Sequence, residues 1–145
     1  MASSAVPVLF PPVEIDGALH NDGAVSGSLV LGFGHRGIER IVSIYGGRAT
    51  QLIDLCGETR ELSQCIDEER TVLAAEVVFC LREEMARTLC DIVHRRLMLG
   101  LNADQGRPYY EVIADIAAAE LEWDAQQKAD ELDALRRYSD SFRVN

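Results

Sequence analysis

A glycine motif is the first feature of this sequence that could do chemistry. The stretch LVLGFGHRG contains a G-x-G-x-x-G pattern formed by Gly32, Gly34 and Gly37. A dinucleotide-binding fold needs a strand before such a loop, a helix after it, and then a second parallel strand. The segment 49–56 reads equally well as a helix, and only helical patterns follow it. We therefore interpret the glycines as a lead-in to the first helix and predict no cofactor-binding residue in this chain.

The histidines and carboxylates lack the spacing of a metal site. His20, His35 and His94 are spread over the chain without an H-x-x-x-H or H-E-x-x-H pattern. A di-metal helical bundle needs a Glu-x-x-His motif on each of two helices, and the sequence has neither. Glu83, four residues before Arg87, instead fits an ion pair on a solvated helix face. The sequence predicts no metal-ligating residue.

A cluster of charged residues in the middle of the chain is harder to explain as solvated surface. Glu76 lies on the apolar side of a predicted helix, and a second, otherwise apolar helix is interrupted by Asp91, Arg95 and Arg96. A buried carboxylate or guanidinium must be paired, because an unpaired buried charge costs several kcal/mol. We expect Glu76 to pair with Arg95 or Arg96 across the two helices. The cluster is predicted to be structural, and no residue is predicted to be catalytic.

Helical periodicity of apolar residues predicts an all-α fold. The patterns favour a bundle of about five to six helices over residues 36–145, preceded by an irregular arm over residues 1–35. The stretch 72–100 is divided into two helices, with Thr88 as the N-cap of the second and Asp91 as its capping-box partner. The other predicted boundaries are glycine ends at Gly46, Gly57 and Gly100, a proline start at Pro108 and an N-cap at Asp124.

The N-terminal arm differs in composition from the rest of the chain. Residues 1–35 hold three of the four prolines and five of the eleven glycines, with no sustained helical period. The arm also contains the apolar run Val8, Leu9 and Phe10. These residues are too apolar for a solvated tail, so we predict that the arm lies against its own domain or a partner.

Charge and cysteine content argue against several classes of protein. The 145 residues carry 24 acidic and 14 basic side chains, a formal net charge of −10. An acidic surface repels phosphate backbones and anionic lipids, so no nucleic-acid partner is predicted. No apolar run reaches the roughly 20 residues that cross a bilayer, and the N-terminus lacks a secretory signal pattern. There is no C-x-x-C spacing among Cys56, Cys65, Cys80 and Cys90. We therefore predict that these cysteines are reduced thiols and that the protein is not secreted.

The stretch AEVVFCLREEMARTLCDIVHRRLMLGLNADQ resembles a known family. It is similar to the C-terminal helical domain of FAD-dependent glycerol-3-phosphate dehydrogenases and α-glycerophosphate oxidases, and the resemblance extends from about Gly34 to Tyr138. In that family a glutamate opens one helix, and an Asp-x-x-x-Arg-Arg pattern followed by a glycine closes the next. These positions correspond here to Glu76, Asp91, Arg95, Arg96 and Gly100.

Three positions depart from the family pattern. The family usually has an aromatic hydroxyl where this chain has Phe79, and often threonine and a basic residue where it has Leu97 and Met98. Polar groups are thereby replaced by apolar ones. We predict an interface at Leu97 and Met98, and a second candidate interface at Val8, Leu9 and Phe10 of the arm.

The resemblance implies a function that this chain does not perform alone. In the family FAD occupies a separate N-terminal domain, where hydride transfer from glycerol 3-phosphate gives dihydroxyacetone phosphate. FAD is therefore implied only for a partner or a missing domain, and no catalytic residue is carried over. We expect a non-catalytic helical domain or subunit of such a flavoprotein, cytoplasmic or mitochondrial, with membrane association only through a partner. The alternative is a stand-alone helical interaction subunit of a larger complex, and catalysis by this chain is the least favoured hypothesis.

Overall fold

The computed structural model describes residues 35–142, which form an all-α domain. The five α-helices are α1 (His35–Tyr45), α2 (Ala49–Cys56), α3 (Ala74–Glu83), α4 (Tyr110–Leu121) and α5 (Ala125–Asp140). Shorter elements are a π-helix at Asp91–Arg96 and 3-10 turns at Gly46–Arg48, Leu99–Leu101 and Arg107–Tyr109. Within the described range the β pairing is one isolated antiparallel bridge between Cys65 and Leu73. The predicted fold class is confirmed, and the arm residues Val8, Leu9 and Phe10 lie outside the described residues.

A left-handed glycine separates the first two helices. α1 buries Gly37, Ile41 and Tyr45, which lie four residues apart on one helix face. Gly46 has a φ of 52°, a conformation that favours glycine, so α1 ends where the sequence predicts. α2 follows one 3-10 turn later and ends before Gly57, also as predicted. The last glycine of the G-x-G-x-x-G pattern therefore lies inside α1.

One aspartate organises the long connection between α2 and α3. Asp67 accepts hydrogen bonds from the backbone N–H groups of Thr71 (2.9 Å) and Val72 (2.8 Å) and from the Thr71 hydroxyl (2.6 Å). The Ile66 N–H donates to the Val72 carbonyl at 2.9 Å across the same loop. These contacts fix the entry of the chain into α3, because Val72 is buried two residues before that helix begins.

α3 is the central helix of the domain. Its residues 74–81 are all buried, as expected of a helix that is surrounded by other elements. One side packs with Ile41 of α1 and Leu52 of α2, and the other packs with Ile92 of the π-helix and Ile113 of α4. α3 therefore links two core clusters, one on each side of it.

The segment between α3 and α4 departs from the predicted regular helix. Thr88 and Asp91 form the predicted capping box, since the Asp91 N–H donates to Thr88 Oγ1 at 3.1 Å and the Thr88 N–H donates to the Asp91 carboxylate at 3.2 Å. The helix then widens into the π-helix Asp91–Arg96. Its predicted end at Gly100 is wrong, because Met98 has a φ of 60° and this left-handed conformation stops the helix earlier.

The two C-terminal helices begin as the sequence predicts. Pro108 lies in the 3-10 turn that leads into α4, where its missing N–H is tolerated. The Asp124 carboxylate accepts a hydrogen bond from the Gln127 N–H at 2.7 Å and caps α5. Ion pairs at the surface connect α4 with α5, among them Lys128 with Asp115 (2.5 Å) and Arg136 with Glu111 (2.7 Å).

Candidate functional site: a buried ion pair between helices

Glu76 is the buried carboxylate that the sequence predicts, with 0% of its surface exposed. It lies in the first turn of α3, and its Oε1 accepts a hydrogen bond from the Leu73 N–H at 2.8 Å. This contact is half of a capping box, because the Leu73 side chain has no oxygen to return the bond. The carboxylate therefore accepts a hydrogen bond from one N–H group that the helix terminus leaves without a partner. Its negative charge is also stabilised by the positive end of the helix dipole.

The partner of this carboxylate is Arg40 of α1. Its Nη1 lies 2.6 Å from Glu76 Oε2 and also donates to the Thr71 carbonyl at 3.2 Å. Its Nη2 donates to the Leu97 carbonyl at 2.9 Å. One guanidinium thus connects α1, the loop before α3, α3 itself and the end of the π-helix.

Tyr45 completes the site from the last turn of α1. Its hydroxyl donates to Glu76 Oε2 at 3.0 Å, and its ring packs edge-on against Phe79 with centroids 5.4 Å apart. We refer to Arg40, Tyr45 and Glu76 as the clamp. Two residues of α1 therefore hold one carboxylate of α3.

Burial and charge in the clamp shift the titration of its members. Burial, reinforced by the charge of Glu76, raises the pKa of the Tyr45 hydroxyl, so the phenol stays protonated and able to donate. Burial also raises the pKa of the Glu76 carboxyl, and the Arg40 charge with the Leu73 N–H opposes this rise. The hydrogen-bonding partners of the carboxylate, from Arg40, Tyr45 and Leu73, are all donors. An ionised carboxylate can only accept hydrogen bonds, so these partners suit the ionised form.

The predicted pairing of Glu76 with Arg95 or Arg96 is wrong. Arg95 instead forms an ion pair with Asp91 at 2.7 Å, one turn earlier, and 67% of its side chain is exposed. Arg96 donates to the Glu84 carbonyl at 2.8 Å, at the far end of α3. Eight residues of helix separate Glu76 from Glu84, about 12 Å at 1.5 Å per residue, so Arg96 cannot reach the buried carboxylate.

Leu97 and Met98, the predicted interface, lie in different environments. The side chain of Leu97 is 1% exposed and packs in the core beside α4, so its assignment to an interface is wrong. Leu97 directly follows the π-helix Asp91–Arg96, which helical periodicity in the sequence does not predict. Met98 is 44% exposed and remains a candidate contact residue.

Asp91 belongs to the capping box and not to the clamp. Partial burial opposes its ionisation, but hydrogen bonds from Thr88 and Arg87 and the charge of Arg95 together lower the pKa of its carboxyl. Asp91 thus acts at the N-terminus of its own helix, as an N3 carboxylate does.

Replacing Asp91 tests this local role. Asp91→Ala should lower the free energy of unfolding by about 1 kcal/mol at pH 7, because the cap loses its acceptor. A carboxyl whose pKa is lowered in the folded state stabilises the fold above its unfolded pKa and loses that effect as the pH falls. The deficit relative to wild type should therefore shrink between pH 5 and pH 3 in urea titrations. Glu83→Ala, at an exposed position, is the control, and an equal loss in both variants would contradict a capping role.

The cysteine thiols of the described residues are not activated as nucleophiles. The four cysteines are reduced, and burial raises the pKa of each thiol, to about 12 for Cys56: they are Cys56, Cys65, Cys80 and Cys90. Within residues 35–142 no group of three His, Cys, Asp or Glu side chains could hold a metal ion.

No helix in this range is long and apolar enough to span a bilayer. Two open recesses of the described surface, one between α2 and α3 and one beside Arg107, are lined by none of the three clamp residues.

The described residues define a class: an all-helical domain whose first helix is tied to its central helix by a buried ion pair. The chain matches the family model of the C-terminal domain of alpha-glycerophosphate oxidase over residues 13–128. This match covers most of the chain, and the protein belongs to that family. The resemblance stated from the sequence is thereby confirmed.

Two curated relatives agree with the family assignment. A probable glycerol-3-phosphate dehydrogenase of Encephalitozoon cuniculi (strain GB-M1) is 29% identical over 100 residues, which is 68% of this chain and 16% of the relative. A mitochondrial glycerol-3-phosphate dehydrogenase of Arabidopsis thaliana is 25% identical over 100 residues, with the same two coverages. The chain therefore spans only a small part of the length of these relatives. No solved structure matches the chain significantly.

Proposed function

We propose that this protein is a non-catalytic helical domain or subunit that completes a flavoprotein oxidising glycerol 3-phosphate to dihydroxyacetone phosphate. Its family and its relatives, which are named glycerol-3-phosphate dehydrogenases, support the reaction class. The matched region is 16% of each relative, so FAD and the reacting groups are assigned to the remainder. That remainder is supplied by the same polypeptide or by a separate partner chain.

The observation that carries the structural role is the closure of the clamp. Both oxygens of Glu76 are occupied by donors of the chain itself, and the residue has no exposed surface. A catalytic carboxylate must reach the proton or atom on which it acts. A carboxylate enclosed in this way acts by holding α1 against α3, and removal of either charge would leave the other buried without its partner.

Two groups of apolar residues are the proposed contacts with the rest of the flavoprotein. Met98 is exposed beside the end of the π-helix, and Val8, Leu9 and Phe10 of the arm are the second contact that we propose. The location is the mitochondrion or the cytoplasm, in keeping with the mitochondrial name of one relative. Any association with a membrane is made through the flavoprotein partner.

Native mass spectrometry tests this function. The chain is tagged, purified from its own cells and measured as an intact complex, together with the absorbance of any flavin. We expect the tagged domain either to be part of a larger polypeptide that contains FAD or to co-purify with one. Partners without flavin would contradict the proposal and favour a stand-alone interaction subunit.

Deletion of the arm gives a separate prediction. A variant without residues 1–30 should keep its helical circular dichroism, because the described helices begin at His35. It should lose the association with the flavoprotein partner, which the full chain retains in the same purification. Loss of helicity together with association would show instead that the arm belongs to the core of this domain.

A further inference from the structure

A hydrogen-bonded chain that shares no residue with the clamp joins three helices. His94 Nε2 of the π-helix lies 2.9 Å from Ser139 Oγ of α5, and Ser139 Oγ lies 2.6 Å from the Tyr110 hydroxyl of α4. The Tyr110 hydroxyl donates to the Gln105 carbonyl at 3.1 Å. Ser139 is fully buried although it lies in the last turn of α5. This chain therefore fastens the C-terminal end of α5 to the rest of the domain.

The direction of every bond in this chain follows from its last acceptor. A backbone carbonyl can only accept, so the Tyr110 proton points to Gln105. The Tyr110 oxygen then accepts from Ser139, whose only proton is used in that bond, and Ser139 Oγ must accept from His94. The chain thus requires a hydrogen on His94 Nε2, and in the neutral imidazole it leaves Nδ1 without one.

The other ring nitrogen of His94 faces a glycine. A Cβ atom added to Gly100 would collide with His94 Nδ1, so the ring lies directly against the glycine methylene. Among the described residues Nδ1 has no hydrogen-bond partner. A second proton on this ring would find no acceptor among the described residues and only limited access to water, because His94 is partly buried.

The charged groups around His94 are already engaged elsewhere. On the π-helix Asp91 is paired with Arg95, and on α5 Asp140 is paired with Arg107 from the turn before α4. The remaining neighbours at this end of the chain are the rings of Tyr138 of α5 and of Phe142 just after it, with centroids 4.9 Å and 6.0 Å from that of His94. Burial alone lowers the pKa of His94 below its ordinary value, with no charge assisting or opposing it.

We propose that His94 is a pH-sensitive fastening of the C-terminal helix, which holds the end of α5 when the imidazole is neutral and releases it when the imidazole is protonated. To solvate the charge and its Nδ1 proton fully, the partly buried ring turns further towards water, and Ser139 then loses its donor. A group with a lowered pKa in the attached state binds more protons when detached, so attachment is complete above about pH 6.5 and weakens as the pH falls. This inference is independent of the proposed flavoprotein role.

Amide hydrogen exchange of the full-length chain tests the fastening. Protection of amides 136–140, corrected for intrinsic exchange rates, should fall by up to about fivefold between pH 6.5 and pH 5.5, because a detached imidazole of ordinary pKa, about 6.5, is already half protonated at the start of this range. His94→Gln keeps an N–H donor that does not titrate and should abolish this dependence. An equal fall in His94→Gln would overturn the proposal.

Two further measurements keep the test decisive if His94→Gln fails to fold. Gly100→Ala displaces the ring at every pH, so its protection at pH 7.5 should already be as low as that of wild type at pH 5.5. Gly47→Ala is the matched control, because a Cβ there meets nothing within 4 Å, and it should behave as wild type. The nitrogen chemical shifts of wild-type His94 should show the Nε2–H tautomer at pH 7.5, and an Nδ1–H tautomer would overturn the proposal.

Discussion

Arg40→Met should lower the free energy of unfolding by about 3–5 kcal/mol, the loss that follows when a buried charge is left without its partner. Methionine keeps most of the apolar stem of Arg40 but removes the guanidinium. Glu76 would then remain buried with only the Tyr45 hydroxyl and the Leu73 N–H as donors. The carbonyls of Thr71 and Leu97 would also lose their hydrogen bonds. Urea unfolding followed by circular dichroism at pH 7 measures the loss.

The pH dependence of this variant separates lost charge pairing from lost packing. Without Arg40, burial raises the pKa of Glu76 with less opposition, so the folded state of the variant takes up a proton more readily than the unfolded state. The stability deficit should therefore shrink as the pH falls from 7 towards 4. Arg95→Met removes the arginine of an exposed pair and should cost less than about 1 kcal/mol. A comparable loss in both variants, or a deficit independent of pH, would contradict the account.

Phe79→Ala should be about as damaging, with a loss of about 3–5 kcal/mol. The ring of Phe79 is fully buried in α3, contacts Tyr45 edge-on and lies 4.8 Å from the Arg48 guanidinium carbon. Its removal leaves a cavity beside the clamp and frees the Tyr45 ring to move away from Glu76. Thermal and urea unfolding both measure the loss.

A surface substitution of the same helical region is the control for Phe79→Ala. Val42 of α1 is largely exposed, and Val42→Ala should change the stability by no more than about 0.5 kcal/mol. Equal melting temperatures for Phe79→Ala and wild type would show that the packing of α3 against α1 does not support the clamp.

Local chemistry explains which parts of the fold could be predicted. Gly46 ends α1 and Asp124 caps the start of α5. Each residue acts on a helix terminus within a few residues of itself. The capping box of Thr88 and Asp91 is local in the same way. Such signals need no knowledge of the tertiary structure, and helical periodicity adds the buried faces of the helices.

The partner of Glu76 could not be chosen by the same reasoning. Arg40 is 36 residues away in the sequence, whereas Arg95 and Arg96 stood in the neighbouring helix of the same motif. Arg95 and Arg96 lie in a π-helix that ends just before the left-handed Met98, and no propensity in the sequence indicates either feature. The available sign was Arg40 itself, a basic residue beside the buried Ile41 at the edge of an apolar helix face.

A double-mutant cycle between Arg40 and Glu76 tests the central claim most directly. Arg40→Met, Glu76→Met and the double variant are compared with wild type by urea unfolding at pH 7. If the clamp is a coupled structural pair, the double variant should be more stable than the sum of the single losses predicts, by at least about 2 kcal/mol, because it contains no unpaired buried charge. Single losses that add to within about 0.5 kcal/mol would show that the two residues act independently, and that the clamp does not hold the domain together.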